Sequence, residues 1–458
     1  MNVPATIFRQ YDIRGTTGDQ LTPALARAVG AAYATYARAK LSRPVVVALG
    51  RDNRPSGEEL GPAVADGIVA AGGKVIDVGT VPTPALYFAT HTLKVDGGIQ
   101  VTGSHNPPEF NGFKMVLQGE AIYGDQIQEL YQMISADRLD QQPGGSRVAE
   151  KGVLDAYRAA IVQHNTPLAR RIKVVADCGN GVTSLVAIQT LRDLGCDVVP
   201  LFDTSDGRFP NHHPDPTVVE NLKDLQAAVK KENAELGIAF DGDGDRIGAV
   251  DEQGTPIFGD VLLVLFGRDL AQRFGKGKPV IFDVKCSEIL PEELERAGLV
   301  PTMWKTGHSL IKQKMKDTGA PLAGEMSGHV FFGGDWYGFD DALFAAARLL
   351  QYLAKTPGPL SRHLADLPQT VSTPEMRVDC PDERKFPLVE EAAQYFASRY
   401  PVSTLDGVRI KFAEGWGLLR ASNTQPVLVM RFEAKSPQAL AAYRGEVEGW
   451  LARHASGP

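Results

Sequence analysis

Cysteine is scarce in this chain of 458 residues, which contains only four. They are Cys178, Cys196, Cys286 and Cys380, which lie far apart and never form a C-x-x-C pair. Structural zinc sites and the disulfide frameworks of small secreted domains both depend on closely spaced or paired cysteines. The spacing therefore argues against both kinds of site and is typical of a protein in a reducing compartment.

Long apolar runs and an excess of positive charge are also missing. No segment approaches the roughly 20 apolar residues that a membrane-spanning helix needs, and the first residues lack the apolar core of a signal peptide. The net charge is −7, from 48 basic and 55 acidic residues. This balance gives no electrostatic reason to expect nucleic acid or an anionic membrane as a partner. We therefore expect a cytoplasmic protein that binds neither.

One pattern of elements occurs three times in the chain. A short β-branched strand is followed by a polar loop, a helical stretch, a glycine and a second apolar strand. Strands that alternate with helices predict parallel or mixed sheets, and copies more than a hundred residues apart predict similar domains rather than a solenoid. The strand pairs of the copies are 45–49 with 75–78, 172–176 with 198–201, and 280–283 with 300–304.

The pattern changes after about residue 367. A helix, three strands and a closing helix follow, and strands without the repeated crossover predict an α+β domain. The predicted fold class is therefore α/β, with three similar mixed-sheet α/β domains and a C-terminal α+β domain. The predicted elements of the last part are 385–400, 408–412, 417–421, 427–433 and 437–454, and the predicted domains are 1–147, 148–252, 253–367 and 368–458.

Residues 102–107, Thr-Gly-Ser-His-Asn-Pro, place Ser104 between a glycine and a histidine in a predicted loop. Gly103 permits unusual backbone angles, Asn106 favours turns, and Pro107 fixes φ and removes a donor. A hydroxyl displayed beside the His105 imidazole could be a nucleophile or a phosphate carrier. The alternative is an ordinary serine that caps a helix or stabilises a turn.

The segment 241–246, Asp-Gly-Asp-Gly-Asp-Arg, places three carboxylates at alternate positions. Asp241, Asp243 and Asp245 would repel one another without a counter-ion, and the glycines between them allow the loop to fold around a cation. Few carboxylates plus a phosphoryl oxygen suit Mg²⁺, and Arg246 could neutralise a transferring group. The alternative is a solvated acidic turn.

A calcium-binding EF-hand loop is a second alternative, because the three aspartates and Glu252 fall at its positions 1, 3, 5 and 12. That loop requires glycine at position 6, which here is Arg246. The flanking segments 236–240 and 247–250 are also predicted strands rather than helices. The sequence therefore excludes an EF-hand.

Two further loops have the composition of anion and sugar sites. Residues 420–426, Arg-Ala-Ser-Asn-Thr-Gln-Pro, lie between two predicted strands and offer a guanidinium, hydroxyls, amides and backbone N–H groups that suit a phosphate. Residues 324–329, Gly-Glu-Met-Ser-Gly-His, offer groups that could bind sugar hydroxyls. Both could instead be turns. Scattered cations, each a surface residue by default, are Arg9, Arg14, Lys114, Lys285 and Lys312.

In their order and spacing, the motifs TGSHNP, DGDGDR, GEMSGH and RASNTQP resemble the α-D-phosphohexomutase superfamily, in particular its bacterial phosphomannomutase/phosphoglucomutase branch. The resemblance covers nearly the whole chain and implies four domains around a central cleft. It implies reversible interconversion of hexose 1-phosphates and hexose 6-phosphates, of mannose, glucose or both, through a phosphoserine and a hexose 1,6-bisphosphate. Alternatives are a phosphoglucosamine or phosphoacetylglucosamine mutase, a non-catalytic sugar-phosphate binding protein, and a phosphatase.

The resemblance also implies roles for individual residues. Ser104 would carry the phosphoryl group and, with Asp241, Asp243 and Asp245, hold Mg²⁺. Lys114 and His329 are candidates for the general acid or base, His308 is a weaker one, and His105 would support the phosphoserine loop. Further active-site cations would be Arg14 and Arg246, and substrate would contact Lys285, His308, Glu325, Ser327, His329, Arg420, Ser422, Asn423 and Thr424. We expect glucose 1,6-bisphosphate as activator, hexose phosphates as partners, and a monomer.

Overall fold

A computed structural model describes residues 3–165 and 167–454. Within these residues the strands form four separate sheets. The first sheet contains β1 (Ile13–Thr16), β2 (Val46–Arg51), β3 (Lys74–Thr80), β4 (Gly97–Val101), β5 (Phe110–Leu117), β6 (Glu120–Ala121) and β7 (Ser146–Ala149). Its helices are α1 (Pro23–Leu41), α2 (Gly57–Ala70), α3 (Thr83–Thr92) and α4 (Asp125–Ser135).

The second and third sheets follow in chain order. The second contains β8 (Lys173–Asp177), β9 (Asp197–Leu201), β10 (Leu236–Phe240), β11 (Ile247–Asp251) and β12 (Pro256–Ile257), with helices α5 (Val153–His164), α6 (Ala187–Asp193) and α7 (Lys223–Glu232). The third contains β13 (Pro279–Asp283), β14 (Val300–Trp304), β15 (Leu322–Gly324) and β16 (Val330–Phe332), with helices α8 (Gly259–Phe274), α9 (Ile289–Arg296), α10 (His308–Thr318) and α11 (Ala342–Lys355).

These three sheets share one arrangement of strands. The order is β3-β2-β4-β5 in the first, β9-β8-β10-β11 in the second and β14-β13-β15-β16 in the third. In each set the first three strands are parallel and the fourth is antiparallel. The predicted repeat is therefore confirmed. Its strand pairs are β2 with β3, β8 with β9, and β13 with β14.

The fourth sheet is antiparallel and contains β17 (Val371–Ser372), β18 (Met376–Asp379), β19 (Val402–Ser403), β20 (Val408–Phe412), β21 (Gly415–Ala421) and β22 (Val427–Ala434). Helices α12 (Asp382–Ala397) and α13 (Pro437–His454) accompany it. The predicted α+β class is confirmed. The helix predicted at 385–400 is observed at Asp382–Ala397, so both its ends lie three residues earlier. It begins directly after Pro381.

Two sheets extend beyond the predicted domain boundaries. The boundary at 147/148 falls inside β7, which hydrogen bonds to β3, so the first sheet continues to Ala149. The boundary at 252/253 falls inside the hairpin of β11 and β12, so the second sheet continues to Ile257. Both segments look like linkers in the sequence because they are short and rich in polar residues and glycine.

Aromatic side chains from the first three domains pack into one shared core. Phe88 of α3 lies against Tyr157 of α5 and against Trp336, at ring-centroid distances of 5.7 and 6.1 Å. Burial of such rings is the largest source of stability at these contacts. The fourth domain has a core of its own, and Trp416 and Leu418 join it to Val284 of the third domain. Among the described helices, none combines the length and apolar character needed to cross a membrane.

Candidate active site

The three sequence motifs of the repeated domains occupy the same topological position. Each lies in the connection between the third and fourth strands of the shared order: 102–107 between β4 and β5, 241–246 between β10 and β11, and 325–329 between β15 and β16. Each loop therefore begins at the carboxyl end of a parallel strand, where α/β sheets place their ligands. The fourth motif, 420–426, spans the end of β21 and the turn to β22.

Ser104 is buried at the centre of this arrangement. Its φ of +51° lies in the left-handed region, which is uncommon for a residue with a side chain. Its Oγ lies 3.0 Å from His105 Nδ1 and donates to Asp241 Oδ2 at 3.2 Å. Burial, together with the positive charges of Arg246 and Arg14, lowers the pKa of His105 well below its usual value. The Ser104 hydroxyl therefore faces the loop 241–246, the aspartate loop, and the neutral imidazole of His105 lies beside it.

Arg54 and Asp52 support the predicted phosphoserine loop, residues 102–107, and the sequence motifs include neither residue. The fully buried Arg54 guanidinium donates to the carbonyl oxygens of Ser104 at 2.8 Å and Asn106 at 2.6 Å, and also to those of Pro107 and Phe110. Asp52 accepts from the Thr102 hydroxyl at 2.7 Å and from the Gly103 amide at 3.1 Å. Both residues closely follow the buried strand β2, at the carboxyl edge of the sheet. This position is the sequence signal that could have identified them.

The aspartate loop carries three fully buried carboxylates. Asp241 Oδ1 accepts from the amides of Gly244, Asp245 and Arg246 at 3.0 to 3.1 Å, which fixes the loop. Burial, and then the charges of Asp243 and Asp245, raise the pKa of Asp241 well above its usual value. Asp243 Oδ1 and Asp245 Oδ1 have no hydrogen-bond partner, and the three side chains bring their oxygens within 4.8 Å of one another. Buried oxygens without donors fit a cation.

Lys114 of β5 supplies positive charge from the first domain to this loop. Its ammonium donates to Asp243 Oδ2 at 2.7 Å and also to Asp245 Oδ2. Burial opposes the charge on Lys114, but Asp243 and Asp245 outweigh it and raise the Lys114 pKa well above its usual value. The same ammonium outweighs burial at Asp243 and lowers the pKa of that carboxyl. Lys114 is therefore a fixed cation between two carboxylates.

The predicted sugar loop of the third domain, residues 324–329, contacts the aspartate loop, residues 241–246, directly. Arg246 Nε donates to His329 Nε2 at 3.0 Å, and the backbones of these two residues form an isolated antiparallel bridge. Glu325 Oε1 accepts from the Gly307 amide at 2.6 Å, and burial raises the pKa of Glu325. Ser327 is buried in the same turn. His308, at the start of α10, stacks on His329 with ring centroids 5.6 Å apart.

The predicted phosphate loop of the fourth domain, residues 420–426, contains an arginine whose guanidinium is paired with a carboxylate. Arg420 donates to both carboxylate oxygens of Asp406, at 3.1 and 3.3 Å. Ser422 Oγ accepts from the amides of Thr424 at 3.3 Å and Gln425 at 3.1 Å. Asn423 Nδ2 donates to the Tyr11 hydroxyl at 2.7 Å, so the loop contacts the first domain.

Each of the four remaining predicted cations has a polar partner in the structure. Lys285 Nζ pairs with Glu375 Oε2 at 3.0 Å between the third and fourth domains. Arg14 donates to the Asn106 side chain at 3.0 Å, beside Ser104. Arg9 forms an exposed ion pair with Asp382 at 3.0 Å, which favours a surface role. Lys312 donates to Asp340 Oδ1 at 3.0 Å, behind the two stacked histidines.

Four family models match the chain in order. They are the phosphoglucomutase/phosphomannomutase alpha/beta/alpha domains I, II and III and the C-terminal domain, at residues 5–141, 155–254, 258–371 and 375–449. A phosphomannomutase/phosphoglucomutase of Pseudomonas aeruginosa is 48% identical over 96% of this chain and 94% of its own length. A phosphoglucomutase of Neisseria gonorrhoeae is 45% identical over 96% of this chain and 95% of its own.

A solved structure from Burkholderia thailandensis, described as a phosphoglucomutase/phosphomannomutase family protein, superimposes with a TM-score of 0.92 at 46% identity. The comparison covers 100% of this chain and 99% of that one. The similarity therefore includes every domain and each of the four motif loops.

Proposed function

Because the chain belongs to the phosphoglucomutase/phosphomannomutase family, we propose that it interconverts the 1-phosphates and 6-phosphates of glucose and mannose. The observation that carries this proposal is the 3.2 Å contact between Ser104 Oγ and Asp241 Oδ2. It places a hydroxyl that can carry a phosphoryl group against three buried carboxylates that fit a cation. The family expected from the four motifs is confirmed by these matches.

Ser104 is the proposed phosphoryl carrier. In the first half-reaction the bond between Ser104 Oγ and phosphorus breaks while a free hydroxyl of the hexose monophosphate bonds to the same phosphorus. The hydroxyl proton passes to a base, the Ser104 oxygen that leaves phosphorus takes up a proton, and the product is a hexose 1,6-bisphosphate. After the bisphosphate turns end over end, its other phosphoryl group returns to Ser104 Oγ and the isomeric monophosphate leaves.

Mg²⁺ fits the aspartate loop, and Asp241, Asp243 and Asp245 would hold it together with the phosphate on Ser104. The oxygens of Asp243 and Asp245 that lack donors support this assignment, as does the preference of Mg²⁺ for a few carboxylates plus phosphoryl oxygen. The cation, when bound, stabilises the negative charge that develops on the transferring phosphoryl group.

The protein's own cations would complete this charge stabilisation. The raised pKa of Lys114 favours a role as a permanent cation near the phosphoryl group over a role as base. Arg246 and Arg14 both lie close enough to the serine loop to lower the pKa of His105, and they would bind phosphoryl oxygens. His329 is the preferred base, and the Arg246 N–H that its Nε2 accepts in this structure would have to give way to the substrate hydroxyl.

The two remaining loops would hold the rest of the substrate. The Glu325 carboxylate and Ser327 would bind sugar hydroxyls, and His308 and Lys285 would line the same region. Arg420, Ser422, Asn423 and Thr424 would bind the phosphate that is not being transferred. The 1- and 6-phosphates must exchange places between half-reactions. The same phosphate-binding loop would therefore have to bind the phosphate at either end of the hexose.

The test is a coupled assay with glucose 1-phosphate, Mg²⁺ and a trace of glucose 1,6-bisphosphate, in which glucose 6-phosphate and free phosphate are both measured. We expect glucose 6-phosphate without stoichiometric release of phosphate. Parallel assays with mannose 1-phosphate and glucosamine 1-phosphate define the sugar. Release of phosphate alone would identify a phosphatase, and no turnover with any sugar would contradict the proposal.

The carrier is located by intact-mass measurement after incubation with the bisphosphate. Wild type should gain about 80 Da, the mass of one phosphoryl group, and Ser104→Ala should gain nothing and lose turnover. Ser42→Ala is the matched control, because Ser42 also has a left-handed φ, of +56°, but lies at the end of α1. A phosphorylated Ser104→Ala protein would contradict the assignment.

We also propose that the protein acts in the cytoplasm as a monomer. The four cysteines are free and buried, which supports a reducing compartment. Light scattering in solution tests the monomer, and a mass of two or more chains would contradict it.

A further inference from the structure

Two arginines of the fourth domain bind the loop of the third domain that carries Lys285. This loop, residues 284–288, follows β13 at the carboxyl edge of the third sheet. Arg409 of β20 donates to the carbonyl oxygens of its first and third residues, at 3.0 Å to the third. Arg431 of β22 donates to the carbonyl oxygen of the second residue, Lys285 itself. Three successive carbonyl groups therefore accept from two guanidinium groups of another domain.

The side chain of Lys285 and the end of its loop also bind the fourth domain. The Lys285 ammonium pairs with Glu375 Oε2, between β17 and β18, at 3.0 Å. Glu433 of β22 accepts from the Ser287 hydroxyl at 2.9 Å and from the Glu288 amide at 3.2 Å. Backbone and side chain of this lysine are therefore both held from outside its own domain.

Packing fixes the two guanidinium groups in turn. The centroid of the Trp416 ring lies 3.7 Å from the Arg409 guanidinium carbon and 5.8 Å from that of Arg431, both within the range of a cation–π attraction. Arg431 also donates to Asp260 Oδ2 of α8 at 3.1 Å, and the Ser287 amide donates to the same oxygen. All five residues are buried. A planar fork enclosed in this way holds several acceptors at fixed positions, which a lysine ammonium cannot do.

We propose that Arg409 and Arg431 are positioning residues that place Lys285 for the substrate. The inference rests on the proposed function, in which Lys285 lines the sugar-binding region. Val284, Lys285 and Cys286 are buried, so without the two forks their carbonyl oxygens would have no solvent to replace the lost donors. The loop would then rearrange, and the ammonium would lose its place. The fourth domain therefore serves the substrate twice, through its own phosphate loop and through a lysine of the third domain.

The test compares Arg409→Lys and Arg431→Lys, each alone and in a Lys285→Ala background, by kcat/KM for glucose 1-phosphate. We expect each single lysine variant to lower kcat/KM by about 10- to 100-fold, the scale of a misplacement of about 1 Å at a reacting group. In the Lys285→Ala background the same substitutions should cost less than about twofold, because residues that act through one side chain are not additive with its removal.

Arg348→Lys is the matched control, because Arg348 is also a buried arginine, which pairs with Asp269 of α8 at 2.6 Å. This substitution should lower the melting temperature and leave kcat/KM close to wild type. A second measurement needs no turnover: hydrogen exchange of the amides in 284–288, followed by mass spectrometry. Exchange should be slow in wild type and in Arg348→Lys, and faster in Arg409→Lys and Arg431→Lys.

Four results would overturn the inference. Exchange in 284–288 of wild type that is as fast as in the exposed turn 275–278 would do so without any variant having to fold. Unchanged exchange in the folded Arg409→Lys and Arg431→Lys proteins, an equal loss of kcat/KM in Arg348→Lys, or a full additional loss in the Lys285→Ala background would do so as well. If wild type has no mutase activity, the proposed function fails, whereas the exchange rates still report whether the two arginines hold the loop.

Discussion

The side-chain amide of Asn423 donates a hydrogen bond of 2.7 Å to the Tyr11 hydroxyl. This contact joins the phosphate loop of the fourth domain to the N-terminal segment of the first. The same hydroxyl donates to the carbonyl oxygen of Thr306 in the third domain at 2.6 Å. One phenol oxygen therefore links three domains next to the loop that we propose as the phosphate-binding loop.

Tyr11→Phe should loosen this closure without disturbing the domains themselves. The variant loses both hydrogen bonds, whose net contribution is roughly 1 kcal/mol each, but keeps the ring. Because the hexose bisphosphate must stay bound while it turns, we expect a larger fraction of glucose 1,6-bisphosphate to escape per turnover. The escaped fraction is measured by chromatography of the reaction mixture during steady-state turnover.

Tyr400→Phe is the control for loss of a tyrosine hydroxyl. That hydroxyl donates to Glu446 within the fourth domain, so its removal should leave the escape of the bisphosphate unchanged. Equal escape from both variants, or none from Tyr11→Phe, would contradict the role of the three-domain contact.

Arg54→Lys should impair catalysis through the backbone of the phosphoserine loop. A lysine keeps the charge opposite Asp52, but its three donors cannot reproduce the planar fork that holds four carbonyl oxygens. Misplacement of a reacting group by about 1 Å can cost about 100-fold in rate. We therefore expect kcat to fall by one to two orders of magnitude and the melting temperature to drop.

Arg43→Lys provides the comparison, because Arg43 also makes a two-pronged ion pair, with Asp96, but on the surface. Exposed pairs contribute little to stability, so both kcat and melting temperature should stay close to wild type. If Arg54→Lys behaved like Arg43→Lys, the loop would not depend on the buried guanidinium.

The sequence predicted Ser104 and the three aspartates as site residues because each group of motif residues is contiguous in the chain. Turn residues and alternating carboxylates leave a local signal that needs no knowledge of the fold. Arg409 and Arg431 leave no such signal. Each stands on a strand of the fourth domain, and only the tertiary contacts show that it binds the loop of Lys285.

The same reason explains what was predicted of the fold. Three strands of the fourth domain were located closely, because apolar residues and turns define them locally, and β20 matches the predicted 408–412. The short strands β17, β18 and β19 were not predicted. The edge strand β7 was missed, because its residues are all exposed and only pairing with β3 makes them a strand. Arg54 escaped notice likewise, since the carbonyl oxygens to which it donates lie 50 to 56 residues away in the chain.

Gly242→Ala should separate the aspartate loop from the serine loop. A Cβ at this position would lie 2.4 Å from the carbonyl oxygen of Ser104. Relief of this contact requires a shift of the backbone, which is costly in free energy. We expect weaker activation by Mg²⁺ and a lower kcat, measured as a Mg²⁺ titration of the mutase rate. The distance between the two loops would have to grow by several tenths of an ångström.

Gly445→Ala is the matched substitution away from the site. Gly445 lies in α13, and a Cβ there would meet nothing within 4 Å. Alanine is the better helix former by about 1 kcal/mol, so the melting temperature should rise slightly and the Mg²⁺ titration should not change. A normal Mg²⁺ response in Gly242→Ala would contradict the prediction, because it would show that the serine loop can move away without loss of Mg²⁺ activation.

The pH dependence of stability should contain a contribution from Asp341. Burial raises the pKa of Asp341 to about 6, against roughly 4 in an unfolded chain. Between these values the folded protein holds a proton that the unfolded chain has lost. This contribution to stability is therefore complete below about pH 4 and is lost as the pH rises through 6. Two pKa units correspond to roughly 3 kcal/mol.

Asp341→Asn cannot ionise and so should lack this contribution. We expect the melting temperature of the variant, relative to wild type, to rise between pH 4 and pH 7, because wild type alone then develops a buried charge. Asp19→Asn is the control: the Thr16 hydroxyl lowers the pKa of the exposed Asp19. Its carboxylate is ionised in the folded and unfolded states above about pH 5, so its contribution should change little from there to pH 7. A constant difference between Asp341→Asn and wild type across this range would mean that Asp341 ionises as easily when buried among its donors as it does in water.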